Sequence, residues 1–125
     1  MGKTLLQVRE LGGYPDFTGL YRELGLRLLS AQGMRKGLAV LKRETPDLII
    51  AEFNYAPTYG SRISTVEALL AGLQRCSQPH RVLLFCEKPH LPHLALLEPQ
   101  YGHLPRLTYP IDRAALRAWL EADSA

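Results

Sequence analysis

Glu52 is the residue whose type and place in this sequence most clearly suggest chemistry. It stands near the end of the apolar run from Pro46 to Asn54, which is entered through a Pro-Asp turn. An apolar run of this kind is typical of a buried central strand in a parallel sheet. Because open α/β sheets bind ligands at the carboxyl ends of their strands, we expect Glu52 to deliver its carboxylate to a functional site.

Histidines and cysteines are the other residue types that could carry chemistry. The histidines are His80, His90, His93 and His103. Two of them stand three residues apart, but on a segment interrupted by prolines and without a third firm ligand, so we expect surface histidines and no metal. Cys76 and Cys86 lack CxxC spacing, and we expect buried, reduced thiols.

Two catalytic or cofactor-binding interpretations find little support in the sequence. A nucleophilic thiol at Cys86 would need a positioned base, and no histidine falls at a strand end that faces it. The pair Gly12-Gly13 does not form a GxGxxG phosphate loop. We therefore expect no nucleotide or flavin cofactor and no enzymatic activity.

Composition predicts one domain that covers residues 1–125. The chain has 125 residues, of which 46% are hydrophobic, and this is enough for a single core. Fifteen Lys and Arg against twelve Asp and Glu give a net charge of +3, and the basic residues are scattered, so nucleic acid is not an expected partner. The start of the chain resembles neither a signal peptide nor a membrane span, so we expect a cytoplasmic protein without a membrane partner.

The elements that position Glu52 alternate between strand and helix. The predicted strands cover about 5–8, 26–31, 46–54, 81–86 and 107–109. The predicted helices cover about 15–24, 34–45, a segment that begins within 61–64, about 92–98, and a last segment capped by Asp112. Five such alternations imply right-handed crossovers and a parallel sheet with helices on both sides.

The stretch from Arg22 to Ile50 resembles the receiver domain of bacterial two-component response regulators. It repeats the family's leucine-glycine pair, second strand, alanine-leucine helix and Pro-Asp-Leu-Ile-Ile run. Gly60 lies eight residues after Glu52, as a family glycine follows the phosphoacceptor aspartate, and Tyr109-Pro110 is similar to the family's Lys-Pro. The resemblance implies a flavodoxin-like (βα)5 three-layer sandwich with a five-stranded parallel sheet in the order 2-1-3-4-5.

The resemblance also implies a degenerate phosphoacceptor pocket. Its positions are Arg9, Glu10, Glu52, Asn54, Cys86 and Tyr109. In the family, two acids, an aspartate, a Ser or Thr and a Lys carry the chemistry at the matching places. An arginine about 6 Å from a bound cation costs roughly 2 to 3 kcal/mol per unit charge at an effective dielectric of about 20, so we expect weak magnesium binding and no aspartyl phosphate.

Two hypotheses describe what the altered pocket does instead. In the first, Arg9 pairs with Glu52 or with Glu10, and its guanidinium permanently closes the place of the metal or the lysine. In the second, Glu52 is a fixed mimic of the phosphorylated state. A further alternative is an atypical receiver that still accepts a phosphoryl group or senses a ligand at the Glu52 pocket.

The expected function is that of a pseudo-receiver, a phosphorylation-independent protein–protein interaction module in bacterial signalling. Because the sequence ends at Ala125, just after the last predicted helix, we expect it to contain no output domain, and either to act through a protein partner or to be part of a longer protein. The resemblance implies that about residues 90–120 form the contact surface, with a homodimer as one possibility. Tyr55 and Tyr59 are predicted contact residues, and Trp119 is predicted to lie in the core.

Overall fold

Five apolar runs form the strands of one parallel sheet. In the computed structural model, which describes residues 3–54, 66–75 and 80–122, they are β1 Thr4–Arg9, β2 Arg27–Gln32, β3 Leu48–Phe53, β4 Arg81–Cys86 and β5 Arg106–Thr108. The strand order is β2-β1-β3-β4-β5, and every neighbouring pair is parallel. The predicted sheet order is therefore confirmed.

Helices cover both faces of the sheet. They are α1 Thr18–Glu23, α2 Met34–Leu41, α3 Val66–Gln74, α4 Leu91–Ala95, α5 Glu98–Tyr101 and α6 Arg113–Glu121. Buried residues of α1 and α6 pack on one face, whereas residues of α2 to α5 pack on the other. This three-layer arrangement is the predicted flavodoxin-like sandwich. Within the described residues, no helix is both long and apolar enough to span a bilayer.

The central strand β3 supplies both hydrophobic layers. All six of its residues are buried, and successive side chains point to opposite faces. Ile49, Ala51 and Phe53 join the cluster on the α2 face, whereas Leu48 and Ile50 join the cluster on the α1 face. By this alternation Glu52 points to the α1 and α6 face. It is the one ionisable side chain on a strand that is otherwise apolar.

Several predicted element boundaries require correction. The first helix is shorter than predicted, because the Asp16 carboxylate accepts hydrogen bonds from the N–H and the hydroxyl of Thr18 and holds the preceding segment in a turn. The second helix ends at Leu41, before the predicted stop.

The cap of the last helix is confirmed, since Asp112 accepts a hydrogen bond from the Ala115 N–H at 3.1 Å. The predicted start of the third helix within 61–64 lies outside the described residues, as do Tyr55, Tyr59, Gly60 and Cys76.

The single short helix predicted over about 92–98 is wrong. The chain instead forms a 3-10 turn at Lys88–His90, then α4, then α5. Each piece has a proline within its first two positions, where the missing N–H is harmless. A proline further inside would remove a helical hydrogen bond, so each of these prolines starts a new short piece.

Candidate functional site

The Glu52 side chain is fully buried, and both of its oxygens are bonded within the chain. Oε1 accepts from the N–H groups of Leu11 at 2.9 Å and Gly12 at 3.2 Å, and from the Asn54 side-chain amide at 3.3 Å. Oε2 accepts from the N–H groups of Glu10 at 2.9 Å and Gly12 at 3.2 Å, and from the Tyr14 hydroxyl at 3.2 Å. Five donor groups therefore converge on one carboxylate.

This arrangement is an anion site whose anion belongs to the protein. A buried charge is tolerated only where hydrogen bonds replace its water shell, and an ionised carboxylate accepts hydrogen bonds without donating any. Successive N–H groups of the β1–α1 loop, residues 10–14, form the concave nest that usually binds anions. Gly12 and Gly13 have φ values of 76° and 84°, which glycine adopts readily and other residues rarely do.

Aromatic rings cover this carboxylate on the α1 and α6 side. The Tyr14 ring meets Phe85 edge-on at 4.9 Å between centroids and stacks on Tyr109 at 6.3 Å. Burial raises the pKa of the Tyr14 hydroxyl, and the negative charge of Glu52 raises this pKa further. Burial likewise raises the pKa of Tyr109. Tyr109 therefore brings a neutral ring to the end of β5, where the family has a lysine.

Arg9 does not enter this pocket. Its guanidinium carbon lies 4.6 Å from the centroid of the Tyr14 ring, and its Nη2 donates to the Tyr14 carbonyl at 3.3 Å. The predicted pairing of Arg9 with Glu52 is wrong, and the described residues include no ion pair between Arg9 and Glu10 either. The physical reason is that loop N–H groups already bond both oxygens of Glu52, whereas burying a guanidinium would add its own desolvation penalty.

The other predicted pocket residues lie at the same end of the sheet but differ in their contacts. The Glu10 N–H binds Glu52, and the Glu10 carbonyl accepts from the Gln32 side chain. Cys86 is buried in the α2-face cluster, and its Sγ donates to the Glu87 carbonyl at 3.2 Å. Burial raises the pKa of this thiol, and the burial predicted for Cys86 is confirmed.

A divalent metal does not fit this donor set. The Glu52 oxygens face N–H and O–H donors, whose positive ends would repel a cation. The part of the chain that the structure describes contains no group of three His, Cys, Asp or Glu side chains able to hold a metal ion. The Glu52 pocket is therefore built for an anion and offers a poor set of ligands to Mg²⁺.

Sequence reasoning missed the main partners of Glu52, which are Tyr14 and the N–H groups of Leu11 and Gly12. The sequence does contain one signal for them, because two consecutive glycines follow β1 opposite a buried acid. Glycine pairs free the backbone to point several N–H groups at one anion. Testing the glycine pair only against the GxGxxG pattern does not reveal that role.

Comparison with known proteins supports the fold. No protein-family model matches the chain, and no curated protein matches its sequence. The signal receiver domain of a Luxo repressor protein from Vibrio parahaemolyticus is similar in structure, with a TM-score of 0.68 and 19% identity, over 96% of this chain and 88% of that one. The receiver domain of a sensor histidine kinase from Pseudomonas aeruginosa has a TM-score of 0.64 and 18% identity, over 97% of this chain and 96% of that one.

The second of these similar structures contains a magnesium ion coordinated in its active-site cleft. In the present chain the equivalent end of the sheet holds the bonded Glu52 carboxylate. The chain thus has the receiver fold, as the resemblance implied, with a differently built site.

Proposed function

We propose that this chain is a pseudo-receiver, which binds a protein partner in bacterial signalling without being phosphorylated. The bonded Glu52 carboxylate carries the proposal. A carboxylate nucleophile must offer an oxygen to the incoming phosphorus, whereas both Glu52 oxygens accept hydrogen bonds from the chain itself. Phosphoryl transfer would first require the β1–α1 loop to release the carboxylate.

Three further replacements support the same proposal. Tyr109 brings no positive charge to the phosphoryl oxygens, and electrostatic stabilisation is the main contribution of a protein to this reaction. The Cys86 thiol already donates to the Glu87 carbonyl. Arg9 places a cation beside the pocket, where the family has an acid. The proposal accordingly includes no catalytic activity.

We further propose that the partner binds the surface formed by about residues 90–120. Leu96, which follows α4, is 67% exposed and is suited to be an apolar anchor. The strand β5, which belongs to the same range of residues, lies at an edge of the sheet. A cytoplasmic location and a homodimer that uses this surface are parts of the proposal.

Thermal melting with Mg²⁺ and beryllofluoride tests the loss of phosphorylation. We expect no saturable rise of the melting temperature at millimolar metal, because both Glu52 oxygens already accept hydrogen bonds from the chain and metal binding would have to break them. The positive control is the magnesium-binding receiver domain of the Pseudomonas aeruginosa kinase, which should be stabilised. A saturable rise for this chain would instead support the atypical receiver that accepts a phosphoryl group.

Affinity capture from the cell of origin tests the proposed surface. Wild type and the variants Leu96→Lys and Leu11→Lys are compared, since Leu11 is also exposed but lies in the β1–α1 loop. We expect one protein to be retained by the wild type and by Leu11→Lys and to be lost from Leu96→Lys. Equal retention by all three would contradict the proposed surface. Unchanged partner affinity in Glu52→Gln would contradict the idea that Glu52 mimics a phosphorylated state.

A further inference from the structure

A cavity of about 510 Å³ opens at the amino ends of β4 and β5. It lies at the opposite end of the sheet from Glu52, between the end of α3, the segment that joins α5 to β5, and α6. Its volume falls within the range of about 300 to 1,000 Å³ that is usual for small-molecule sites. The cavity is therefore large enough for a small organic ligand.

The cavity has apolar walls next to its polar lining groups. Leu73 of α3, Leu104 before β5 and Trp119 of α6 supply them from three sides. The segment before β5 is fixed, because the Leu104 N–H donates to the Glu98 carboxylate at 2.9 Å and Arg106 also contacts that carboxylate. The apolar part of a ligand bound in the cavity would thus contact surfaces that are already in place.

The ionisable groups that line the cavity are basic, apart from the Tyr101 phenol. They are Arg81, His80 and His103, and the described residues add no Asp or Glu to the lining, although His103 itself lies 3.3 Å from the Glu98 carboxylate. The Arg81 guanidinium carbon lies 4.3 Å from the centroid of the Trp119 ring, and its Nη1 donates to the Ala122 carbonyl at 2.9 Å. That contact uses one of five N–H donors on a guanidinium, so Arg81 is held in place with further donors to offer.

We propose that this cavity binds a small organic anion with an apolar body, of the arylcarboxylate class. The ligand's carboxylate pairs with Arg81, and its ring lies against Leu73 and Leu104. Charge complementarity selects the anion, because the Arg81 guanidinium brings a fixed positive charge to the lining and has N–H donors left for a carboxylate. The site does not depend on the loss of phosphorylation, but lining residues such as Tyr101 and Trp119 fall within the range 90–120 of the proposed partner surface.

Tryptophan fluorescence tests this site directly, because Trp119 is the chain's only tryptophan and lines the cavity. Phenylacetate is the probe, and phenylacetamide is its neutral match. We expect saturable quenching by phenylacetate at millimolar concentration or below, with the amide binding at least about tenfold more weakly. The absence of saturable quenching, or equal binding of acid and amide, would overturn the proposal.

Two variants locate the anion. Arg81→Gln should weaken phenylacetate binding by about tenfold or more, whereas Arg27→Gln, on the distant strand β2, should leave it unchanged. Should Arg81→Gln fail to fold, Arg81→Lys, which keeps the charge but loses the planar pair of donors, should still weaken binding by about twofold. Unchanged affinity in the folded cavity variants would contradict the assigned contact. Amide NMR shifts must also fall on the cavity segment before β5, and shifts confined to the β1–α1 loop would refute the location.

Discussion

At the carboxyl ends of the strands a fully buried carboxylate fills the place where α/β sheets usually bind ligands, while a cavity of about 510 Å³ is open at the amino ends of β4 and β5. The first region has an anion and a cage of donors from the same chain. The second has the Arg81 cation among its described lining residues, beside apolar walls. A fold's usual binding site can therefore be closed by one internal side chain while a different end of the sheet offers the space.

The carboxyl-end region is closed by one side chain, that of Glu52. Glu52 is one methylene longer than the aspartate found in receivers, and its oxygens reach the N–H groups of the β1–α1 loop. These hydrogen bonds occupy the N–H groups that could otherwise bind an external anion, and they also fix the path of the loop. At the amino end, the contacts of Arg81 with described residues are a ring face and one carbonyl, so it keeps donors that a ligand could use.

The largest effect is expected from Glu52→Gln. The new amide would point N–H groups at the donors of the β1–α1 loop, so the free energy of unfolding should fall by roughly 3 kcal/mol. Urea denaturation measures this loss. Glu44→Gln, which removes an exposed carboxylate that contacts Arg27, is the matched control and should change stability by less than about 0.5 kcal/mol. Equal losses in both variants would remove the distinction between an internal anion and a surface charge.

Removal of one tyrosine hydroxyl at the carboxyl end of the sheet and of one at the amino end compares the two regions further. Tyr14→Phe deletes a donor to Glu52 and leaves the aromatic packing, so stability should fall by about 1 kcal/mol. Tyr101→Phe alters the cavity lining, where the hydroxyl has no carboxylate to bind, and should have a smaller effect. Denaturation curves of the two variants measure both losses, and a larger loss for Tyr101→Phe would contradict the account.

A smaller effect is expected from Arg9→Gln. Its guanidinium lies over the Tyr14 ring at a partly exposed position, so its removal should lower stability by about 0.5 to 1 kcal/mol. Because Arg9 is outside the pocket, the variant should also remain unresponsive to Mg²⁺ in the melting assay. Metal binding gained by this single substitution would show that Arg9, and not Glu52, closes the site.

The smallest effect is expected from a change of pH within the ordinary range, because the buried tyrosines stay neutral there. Their folded pKa values lie above the ordinary value of about 10, so their contribution to stability is complete below that pH and is lost as the pH rises through the folded pKa. Unfolding free energies should be flat near pH 8 and fall above about pH 10. The double variant Tyr14→Phe, Tyr109→Phe should show a weaker fall, and an unchanged pH profile would contradict the burial of these hydroxyls.

The sheet can be predicted from sequence because its information is local. Apolar runs specify buried strands, and their alternation with helices dictates parallel crossovers, so the predicted β4 matches to the residue and the predicted strand order is correct. The cap at Asp112 is equally local. The prediction fails in the segment after β4, because each of its three prolines starts a separate short piece.

The site can be predicted only in part. The sequence places Glu52 and Asn54 at the end of β3, but the choice between Arg9 and backbone donors as partners of Glu52 depends on the path of the β1–α1 loop. That path follows from the positive φ angles of two glycines, which a charge-pairing argument does not include. The cavity at the amino ends joins residues from distant parts of the chain, and no motif indicates it.

Amide hydrogen exchange of the β1–α1 loop tests most directly whether Glu52 is the internal anion of this site. In the wild type, the Leu11 and Gly12 amides should exchange slowly, because each donates to the Glu52 carboxylate. In Glu52→Gln both should exchange markedly faster, while amides of the central strand β3 stay protected. Rapid exchange of Leu11 and Gly12 in the wild type, or equal protection in the variant, would contradict the account.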